Sequence, residues 1–385
     1  MVSGFDKYFQ IVRCFRDEDL RANRQPEFTQ IDMELSFVDA EDVMSINEKL
    51  IKKVFKEIAG VDVKLPIERM PYKTAMEKYG SDKPDLRFGM EINDISDVVK
   101  DIDFNVFKSA IDNGGSVRAI VAPNCAAMGR KQIDKLVEFV KTFKAKGLVW
   151  IACRDNEIKS SVSKFVNEDQ TKAIINKLNA KKGDLILIAA GKNSVVFQSL
   201  GALRIHMAKE LNLLENNKDF RFVWVTEFPL LSYNEEEGRY QAEHHPFTMP
   251  MDEDIQYLDS DPGRVRAKAY DIVLNGEELG GGSIRIHDTK LQEKMFNVLG
   301  FTKESAWERF GFLMEAFKFG PPPHGGLAYG FDRMIMFLAG TENIKDVIAF
   351  PKNQNAFCPL TEAPNAVDEA QLRDLGISTK KQAIK

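Results

Sequence analysis

Residues 15–37 read FRDEDLRANRQPEFTQIDMELSF, a highly charged segment that leads into a strictly alternating one. The apolar residues at 31, 33, 35 and 37 point to one side of an extended chain, and the polar residues between them point to the other. The segment before them, residues 8–16, is apolar and rich in β-forming residues. Residues 7–37 are therefore predicted to form a β-hairpin with a long charged loop.

A helix is predicted directly after this hairpin. Asp39 is a candidate N-cap, apolar residues recur at 43, 46, 50, 54 and 58, and Gly60 is a candidate stop. Late in the chain the pattern predicts further strands at 222–226, 268–274 and 283–287, then helices at 305–318 and 327–338. After residue 351 the sequence is irregular and ends in a Lys-rich tail.

The middle of the chain, from about residue 81 to 217, has a different texture. Apolar strand candidates alternate there with helical stretches: strands at 116–121, 148–153 and 185–190, and helices at 131–143, 169–178 and 195–211. This order predicts a self-contained α/β or α+β module that is inserted into the main domain.

The composition is that of an ordinary globular protein, with 385 residues, 44% apolar and 29% charged. The net charge is −5, which counts mildly against a general nucleic-acid coat but does not exclude RNA at one local basic surface. No apolar run has the length of a membrane span, and the N-terminus does not resemble an export signal. Four widely spaced cysteines without a C-x-x-C pair argue against structural zinc and indicate a reducing cytoplasm.

Three common nucleotide-binding or hydrolytic motifs are missing from the sequence. It contains no G-x-x-x-x-G-K-[ST] phosphate loop, no G-x-G-x-x-G after a strand and no G-x-S-x-G elbow. A nucleotide would therefore be held by side chains on a sheet. Arg16, at the end of a predicted strand, can present a fork of donors to a phosphate. Taken alone, however, the charged loop is better explained as a solvated hairpin with surface ion pairs.

A second group of candidate residues surrounds a tight turn at Asn275-Gly276. Asp271 and Glu278 flank this turn on neighbouring strands, a placement that suits two oxygen ligands of one magnesium ion. Three consecutive glycines, 280–282, leave open backbone where a ligand can approach, and Arg285 follows them. The alternative is a bulged hairpin with exposed carboxylates.

Two further segments carry candidate residues. His244 and His245 are adjacent on an extended segment, so at most one of them faces a given pocket, and a structural role for either is the simpler interpretation. The segment PPPHGGLAYGFDR at 321–333 runs into an apolar helix, and its glycine-rich entry is expected to leave N–H groups that favour an anion. Arg333 needs a partner there, and Asp332 or another carboxylate is the alternative to a ligand.

Together and in this order, these segments resemble a known family. FRDE at 15–18 resembles motif 2 of the class II aminoacyl-tRNA synthetases, and GFDR at 330–333 resembles motif 3. Four stretches are similar to bacterial-type aspartyl-tRNA synthetases: residues 15–32, YGSDKPDLR at 79–87, HHPFT at 244–248 and GGGSIRIH at 280–287. The resemblance covers essentially the whole chain.

The resemblance implies roles for the matching residues. Arg16 and Arg333 are implied in catalysis, where they grip the phosphates of ATP. The residues implied to bind ATP are Arg16, Asp17, Glu18, Gln25, Glu278, Gly330, Phe331, Asp332 and Arg333. Those implied to bind aspartate are Arg16, Asp32 near its α-amino group, and His244 with Arg285 at its side-chain carboxylate. Asp271 and Glu278 are implied to hold Mg²⁺.

The implied fold is α+β, with the antiparallel sheet of a class II synthetase flanked by helices and an inserted α/β-type (GAD-like) domain. The catalytic domain is expected at 1–82 and 217–351, the insertion at 83–216 and a C-terminal extension at 352–385. In this family an anticodon-binding barrel, the dimer-forming motif 1 and a loop with further aspartate contacts precede motif 2. Because Met1 lies shortly before motif 2, the chain is expected to be a fragment without these parts.

The implied activity is ATP-dependent ligation of L-aspartate to tRNA-Asp through aspartyl-adenylate, by a cytoplasmic protein that is a homodimer at full length and has no membrane partner. Charging of tRNA-Asn as well is left open. One alternative is a related ligase on the same scaffold, of asparaginyl, lysyl or tRNA-independent amide-forming type; Arg285 with His244 favours a carboxylate-bearing substrate instead. The other is a non-catalytic paralogue that binds a small molecule or RNA, which the retained Arg16, Arg333 and acidic pair disfavour.

Overall fold

The longest helix is the one predicted after Asp39. In the computed structural model of the chain it spans Ala40–Ala59, and the Asp39 carboxylate accepts from the backbone N–H groups of Glu41 and Asp42. The Asp42 carboxylate in turn accepts from the Asp39 N–H, which completes a capping box. Gly60 ends the helix in the left-handed conformation, at φ 69°. The predicted helix and both of its ends are confirmed.

The structure describes residues 1–17, 20–155, 157–215 and 219–380. Its strands are β1 (Lys7–Phe15), β2 (Glu27–Ser36), β3 (Arg69–Pro71), β4 (Asn93–Asp94), β5 (Ser116–Ala122), β6 (Val149–Cys153), β7 (Ile158–Ser160), β8 (Leu185–Gly191), β9 (Phe222–Thr226), β10 (Leu231–Asn234), β11 (Arg239–Ala242), β12 (Ala269–Leu274), β13 (Glu277–Ile284) and β14 (His324–Gly330). Its α-helices are α1 (Ala40–Ala59), α2 (Tyr72–Tyr79), α3 (Ser96–Val99), α4 (Asn105–Asp112), α5 (Arg130–Lys141), α6 (Glu168–Lys177), α7 (Asn193–Glu210), α8 (Thr289–Val298), α9 (Lys303–Phe317), α10 (Phe331–Ala339) and α11 (Glu369–Asp374). Short 3₁₀ helices lie at Asp252–Tyr257, Pro262–Arg264 and Ile344–Val347.

The chain divides into two compact units. The sheet unit comprises residues 1–8 and 33–327, and the hairpin unit comprises residues 9–32 and 328–380 of the described chain. The main sheet has the strand order β1-β2-β14-β13-β12-β9-β3. Three of these strands are divided between the two units, and the sheet unit contains residues 7–8 of β1, 33–36 of β2 and 324–327 of β14. Strand β12 pairs antiparallel with both β13 and β9, and β3 pairs parallel with β9. No helix of the described chain has both the length and the apolar character that a membrane span requires.

A second sheet, of order β4-β5-β8-β6-β7, lies wholly inside the predicted insertion, and its pairs are antiparallel. The residues of β8 alternate between two cores: Leu185, Leu187 and Ala189 pack on the side of α5 and α7, and Ile186 and Ile188 on the side of α3, α4 and α6. Burial on both faces explains why β8 reads as a continuous apolar run. Antiparallel pairing makes the module α+β, one of the two types left open; its limits at 83 and 216 stay predictions.

Two predictions from the glycine-rich segments are wrong. The strand predicted at 283–287 is β13, which spans Glu277–Ile284 and contains all three glycines, and residues 327–330 of the helix predicted at 327–338 belong to β14. Close approach of neighbouring strands explains both errors. A Cβ at Gly326 would collide with the carbonyl oxygen of Met33, and the Gly326 carbonyl accepts from the Tyr270 hydroxyl at 3.0 Å. The expected glycine-rich entry to a helix is therefore strand, and α10 begins only after Gly330.

Candidate functional site

The predicted acidic pair converges on one glycine of the β12–β13 hairpin. Asp271 is only 7% exposed and pairs across the ladder with Gly281, and Glu278 lies on β13 beyond a bulge. A Cβ at Gly281 would collide with Asp271 Oδ1 and would lie 3.5 Å from Glu278 Oε1. The absence of a side chain at Gly281 therefore lets both carboxylates occupy the same small space.

The acidic pair is electrostatically strained. Burial raises the pKa of Asp271 well above its ordinary value, and the charge of Glu278 raises it further. Lys83 acts in the opposite direction on Asp271, and its Nζ lies 3.1 Å from Glu278 Oε2. Burial by itself lowers the pKa of Lys83, but the charges of Glu278 and Asp82 raise it above its ordinary value. The pair thus forms a site of negative charge that a cation stabilises.

The two carboxylates suit a magnesium ion, which needs few protein ligands, better than a metal ion that is bound only by protein side chains. Over residues 1–17, 20–155, 157–215 and 219–380, no group of three or more His, Cys, Asp or Glu is arranged to hold a metal ion. Magnesium is usually bound by one or two carboxylates together with water and substrate phosphates. Asp271 and Glu278 are two carboxylates of this kind, and their predicted role as magnesium ligands stays a prediction.

Arg285 is fixed both through its backbone and through its side chain. Its N–H donates to the His324 carbonyl at 2.9 Å, and its other backbone edge bridges to Thr248. The guanidinium donates to Glu34 Oε1 from Nε at 3.1 Å and from Nη2 at 3.0 Å, and Nη1 donates to Ser283 Oγ at 2.8 Å. The guanidinium therefore has a fixed orientation, and its Nε–Nη2 edge already binds one carboxylate, that of Glu34.

Arg285 lies in the wall of a 430 Å³ cavity of the sheet unit. Its other polar lining residues are Glu34, His245 and His324, and apolar side chains such as Phe247 and Phe317 complete it. A volume in this range accommodates a small metabolite, and a charged fork among apolar groups selects for the ligand's charge.

The structure assigns different environments to the two adjacent histidines. His245 Nε2 contacts the Arg285 guanidinium, whereas the His244 ring packs edge-on against Phe228, with centroids 5.0 Å apart. Burial, then the charges of Arg285 and His244, lower the pKa of His245 to about 3. His244 is exposed to solvent, yet desolvation of its ring lowers its pKa as well; the charges of Glu243 and Glu278 raise this pKa and that of Arg285 lowers it. The predicted contact of His244 with a ligand stays a prediction.

Three predicted residues are held by internal bonds in the hairpin unit. Gln25 is 2% exposed, and its amide exchanges two hydrogen bonds with the backbone of Lys352, at 2.7 and 3.1 Å. Asp332, in the first turn of α10, accepts from the Thr29 N–H at 2.6 Å. Arg333 Nη2 donates to the Asn23 carbonyl at 3.3 Å. The bonds of Asp332 and Arg333 join the predicted motif 2 and motif 3 segments, and the proposed nucleotide contacts of all three residues stay predictions.

The remaining predicted residues of the hairpin unit have varied surroundings. Arg16 is exposed, with its guanidinium 5.3 Å from the centroid of the Phe28 ring, and Asp17 beside it is exposed too. Asp32 accepts from Gln10 Nε2 at 3.0 Å. Gly330 precedes α10 and Phe331 is its first residue. Glu18 lies outside the described residues.

Sequence reasoning missed three residues of the sheet unit that contact predicted ones. Lys83 pairs with Glu278, Glu34 holds Arg285, and His245 contacts Arg285. Lys83 stood in the quoted YGSDKPDLR stretch, and Glu34 stood on the polar side of the alternating strand. Neither pattern says which distant residue such a side chain meets, so only the folded chain identifies these contacts.

Comparisons with known proteins agree on one family. The family of tRNA synthetases class II (D, K and N) matches residues 1–354. An aspartate–tRNA ligase of Clostridium novyi (strain NT) is 81% identical over 382 residues, which is 99% of this chain and 64% of that protein. An aspartate–tRNA ligase of Clostridium botulinum (strain Loch Maree / Type A3) is 78% identical over 377 residues, which is 98% of this chain and 63% of that protein. The chain thus spans a little under two thirds of the length of these relatives.

A solved structure of Entamoeba histolytica asparaginyl-tRNA synthetase, in complex with asparaginyl-adenylate, also matches. Its TM-score is 0.45 at 14% sequence identity, and the match covers 93% of this chain and 55% of that one.

Proposed function

This chain belongs to the class II tRNA synthetases, and on that premise we propose that it activates L-aspartate with ATP and transfers it to tRNA-Asp. The main support for aspartate as the substrate is the placement of Arg285. Its guanidinium is bound by Glu34 and Ser283 and lies in the wall of a small cavity. A cationic fork at the end of a pocket recognises a side chain that ends in a carboxylate.

The reaction needs no nucleophile from the protein. The α-carboxylate of aspartate attacks the α-phosphorus of ATP, which gives aspartyl-adenylate and pyrophosphate; the 3′-hydroxyl of the terminal tRNA adenosine then takes the aspartyl group and releases AMP. Catalysis is then mainly alignment and neutralisation of charge. We assign Arg16 and Arg333 to the ATP phosphates, and Asp271 and Glu278 to the magnesium ion. When bound, magnesium would supply further charge neutralisation at the phosphates.

The choice between aspartate and asparagine is a choice of charge. The two side chains are nearly isosteric, but the NH₂ group of asparagine would face the Arg285 guanidinium donor to donor. Buried groups left unpaired in this way can discriminate by about 10⁴–10⁵. Glutamate has the same charge, so the length of the pocket must exclude it.

The proposal includes partners that the complete protein would use. We propose a cytoplasmic homodimer, because charging of tRNA takes place where translation does and because large apolar side chains stay exposed along the start of the chain. The exposed side chains meant here are Val2, Phe5, Tyr8, Phe9, Ile11 and Phe15. Sedimentation at several concentrations tests the dimer, and parallel charging assays with tRNA-Asp and tRNA-Asn test the range of tRNA substrates.

The proposed substrate is tested with non-hydrolysable aminoacyl-adenylate analogues. Calorimetry compares the aspartyl, asparaginyl and lysyl analogues, one for each amino acid that the family activates. Tight binding of the aspartyl analogue alone, with aspartate-dependent exchange of pyrophosphate into ATP, is the expected result. Preference for the asparaginyl or lysyl analogue would overturn the aspartate assignment. Equal and weak binding of all three would favour a non-catalytic protein.

A further inference from the structure

Lys83 reaches the acidic pair from an irregular segment. Residues 80–89, named here the Lys83 loop, follow α2 without regular secondary structure. Besides the contact of Lys83 with Glu278, the loop places Asp85 against the β12–β13 turn, where a Cβ at Gly276 would lie 3.2 Å from Asp85 Cβ. Asp85 is only 3% exposed. The position of this loop therefore determines what lies beside the proposed metal ligands.

Arg204 of α7, inside the predicted insertion, holds this loop from the opposite side. Its Nη2 donates to the carbonyl of Asp85 at 2.6 Å and to that of Phe88 at 3.0 Å, and its Nε donates to the carbonyl of Gly89 at 3.2 Å. Its guanidinium carbon also lies 4.0 Å from the ring centroid of Phe88 and 4.9 Å from that of Tyr79. Arginine is suited to this task because it has five donors and no acceptor, and the carbonyls of a partly buried loop without regular secondary structure need donors.

The burial of Arg204 makes this arrangement costly to disturb. The residue is 1% exposed, so its charge depends on the loop carbonyls and the two aromatic faces for stabilisation. The start of the loop is clamped to α7 as well, since a Cβ at Gly201 would lie 2.8 Å from the carbonyl oxygens of both Tyr79 and Gly80. The loop is therefore in close contact with α7 both at its start and along residues 85–89.

We propose that Arg204 is a positioning residue of the inserted domain, which fixes the Lys83 loop so that Lys83 holds Glu278 in place beside Asp271. The inference rests on the proposed function, because the acidic pair is taken as the magnesium site of aspartate activation. It gives the inserted domain a task at the catalytic carboxylates. Arg204 itself touches no proposed substrate atom and acts through Lys83.

The test is a double-mutant cycle on the full chain with Arg204→Met, Lys83→Met and the combined variant. Each single variant is expected to raise the magnesium concentration for half-maximal aspartate-dependent pyrophosphate exchange by about 10-fold, the effect of losing support behind a metal ligand. The KM for aspartate is expected to stay within about twofold, and the double variant to be no worse than either single one. Arg204→Lys keeps the charge but replaces the planar guanidinium fork by a single ammonium group, so its effect is expected to be intermediate.

A second readout does not depend on activity. Hydrogen exchange without magnesium is expected to be faster at amides 83–92 in the Arg204 variants and unchanged in the α1 helix. Arg118→Met is the matched control, because Arg118 lies in the same inserted domain, stacks 4.8 Å from the Phe197 ring and pairs with Asp94 at 3.0 Å. Its polar partners among the described residues are Ser116, Glu77 and Asp94, all outside the Lys83 loop, so magnesium dependence and loop exchange are expected to stay as in the wild type.

The outcomes separate this inference from the function on which it rests. A wild-type chain without aspartate-dependent exchange would overturn the proposed function and the inference with it. Wild-type exchange combined with additive losses, or with loop amides that Arg204→Met leaves protected, would overturn the inference alone. If Arg204→Met does not fold, Arg204→Lys carries the same cycle, and a magnesium requirement equal to that of the wild type refutes the role.

Discussion

Replacement of Arg285 by glutamine tests the amino-acid site most directly. Glutamine is uncharged and shorter than arginine, so the change removes the positive charge and the fork while leaving a polar group. In the ligand-free chain it also takes away the partner of Glu34, which receives both Nε and Nη2 of Arg285. A second carboxylate, that of the bound aspartate, would then enter a cavity that holds Glu34 without its counter-charge.

The size of the effect follows from the type of bond lost. A hydrogen bond to a charged group contributes about 1.5–3 kcal/mol, and here the side chains of Arg285 and Glu34 are both about three quarters buried. A loss of about 2–3 kcal/mol corresponds to a decrease in affinity of about 30- to 150-fold. Arg285→Lys keeps the charge but loses the fork, so we expect a smaller loss from it.

Calorimetric titration with the aspartyl-adenylate analogue measures this loss. The matched control is Arg266→Gln, which breaks a comparable set of ion pairs, to Asp254, Glu227 and Glu253 at 2.8 Å each, away from the cavity. That variant is expected to lose stability and to keep its affinity. An Arg285→Gln chain that is folded and binds the analogue within threefold of the wild type would refute the assignment of Arg285 to the aspartate carboxylate.

Three further predictions concern the acidic pair, a histidine and a buried amide. Asp271→Asn and Glu278→Gln should each raise the magnesium requirement of adenylate formation by about 10-fold or more, with little effect on aspartate binding in the absence of ATP; superimposable magnesium titrations would make the pair structural. The pKa of His245 is lowered from 6.5 to about 3 in the folded chain, so His245 is protonated at a higher pH in the unfolded chain than in the folded one. The free energy of unfolding is therefore not reduced by this group above pH 6.5, and it decreases as the pH falls from 6.5 towards 3. Urea denaturation at several pH values gives the slope of the free energy of unfolding against pH. His245→Gln should reduce this slope between pH 3 and 6.5 by at most about 1.4 kcal/mol per pH unit, and an unchanged slope would contradict the lowered pKa of His245. Gln25→Ala should lower the free energy of unfolding by about 1–2 kcal/mol, since it leaves the partly buried N–H and carbonyl of Lys352 without these partners, and chemical denaturation measures this.

Much of the fold was predictable because its signals are local. The alternation at 31–35 identifies part of β2, although the strand ends at Ser36 and Phe37 adopts a positive φ of 59°. Asp39 and Gly60 identify both ends of α1, since caps and side-chain periodicity depend on a few neighbouring residues. The apolar run at 185–190 identifies β8 for the same reason. The glycine-rich strands were not predicted correctly, because glycine is required there by the close approach of a neighbouring strand. A local sequence pattern does not reveal such a neighbour.

The sequence by itself was enough to identify the family and to predict which side chains carry the proposed chemistry. These are an acidic pair about a tight turn and an arginine after three glycines. Only the tertiary structure showed which residues contact these side chains and their surroundings. Glu34 pairs with Arg285, Lys83 pairs with Glu278, and Arg204 binds the Lys83 loop. It also decided that His245, and not His244, contacts Arg285. The physical reason is distance along the chain. Charges and hydrogen bonds act over a few ångströms, and Arg204 meets residue 85 across 119 positions of sequence that only folding brings together.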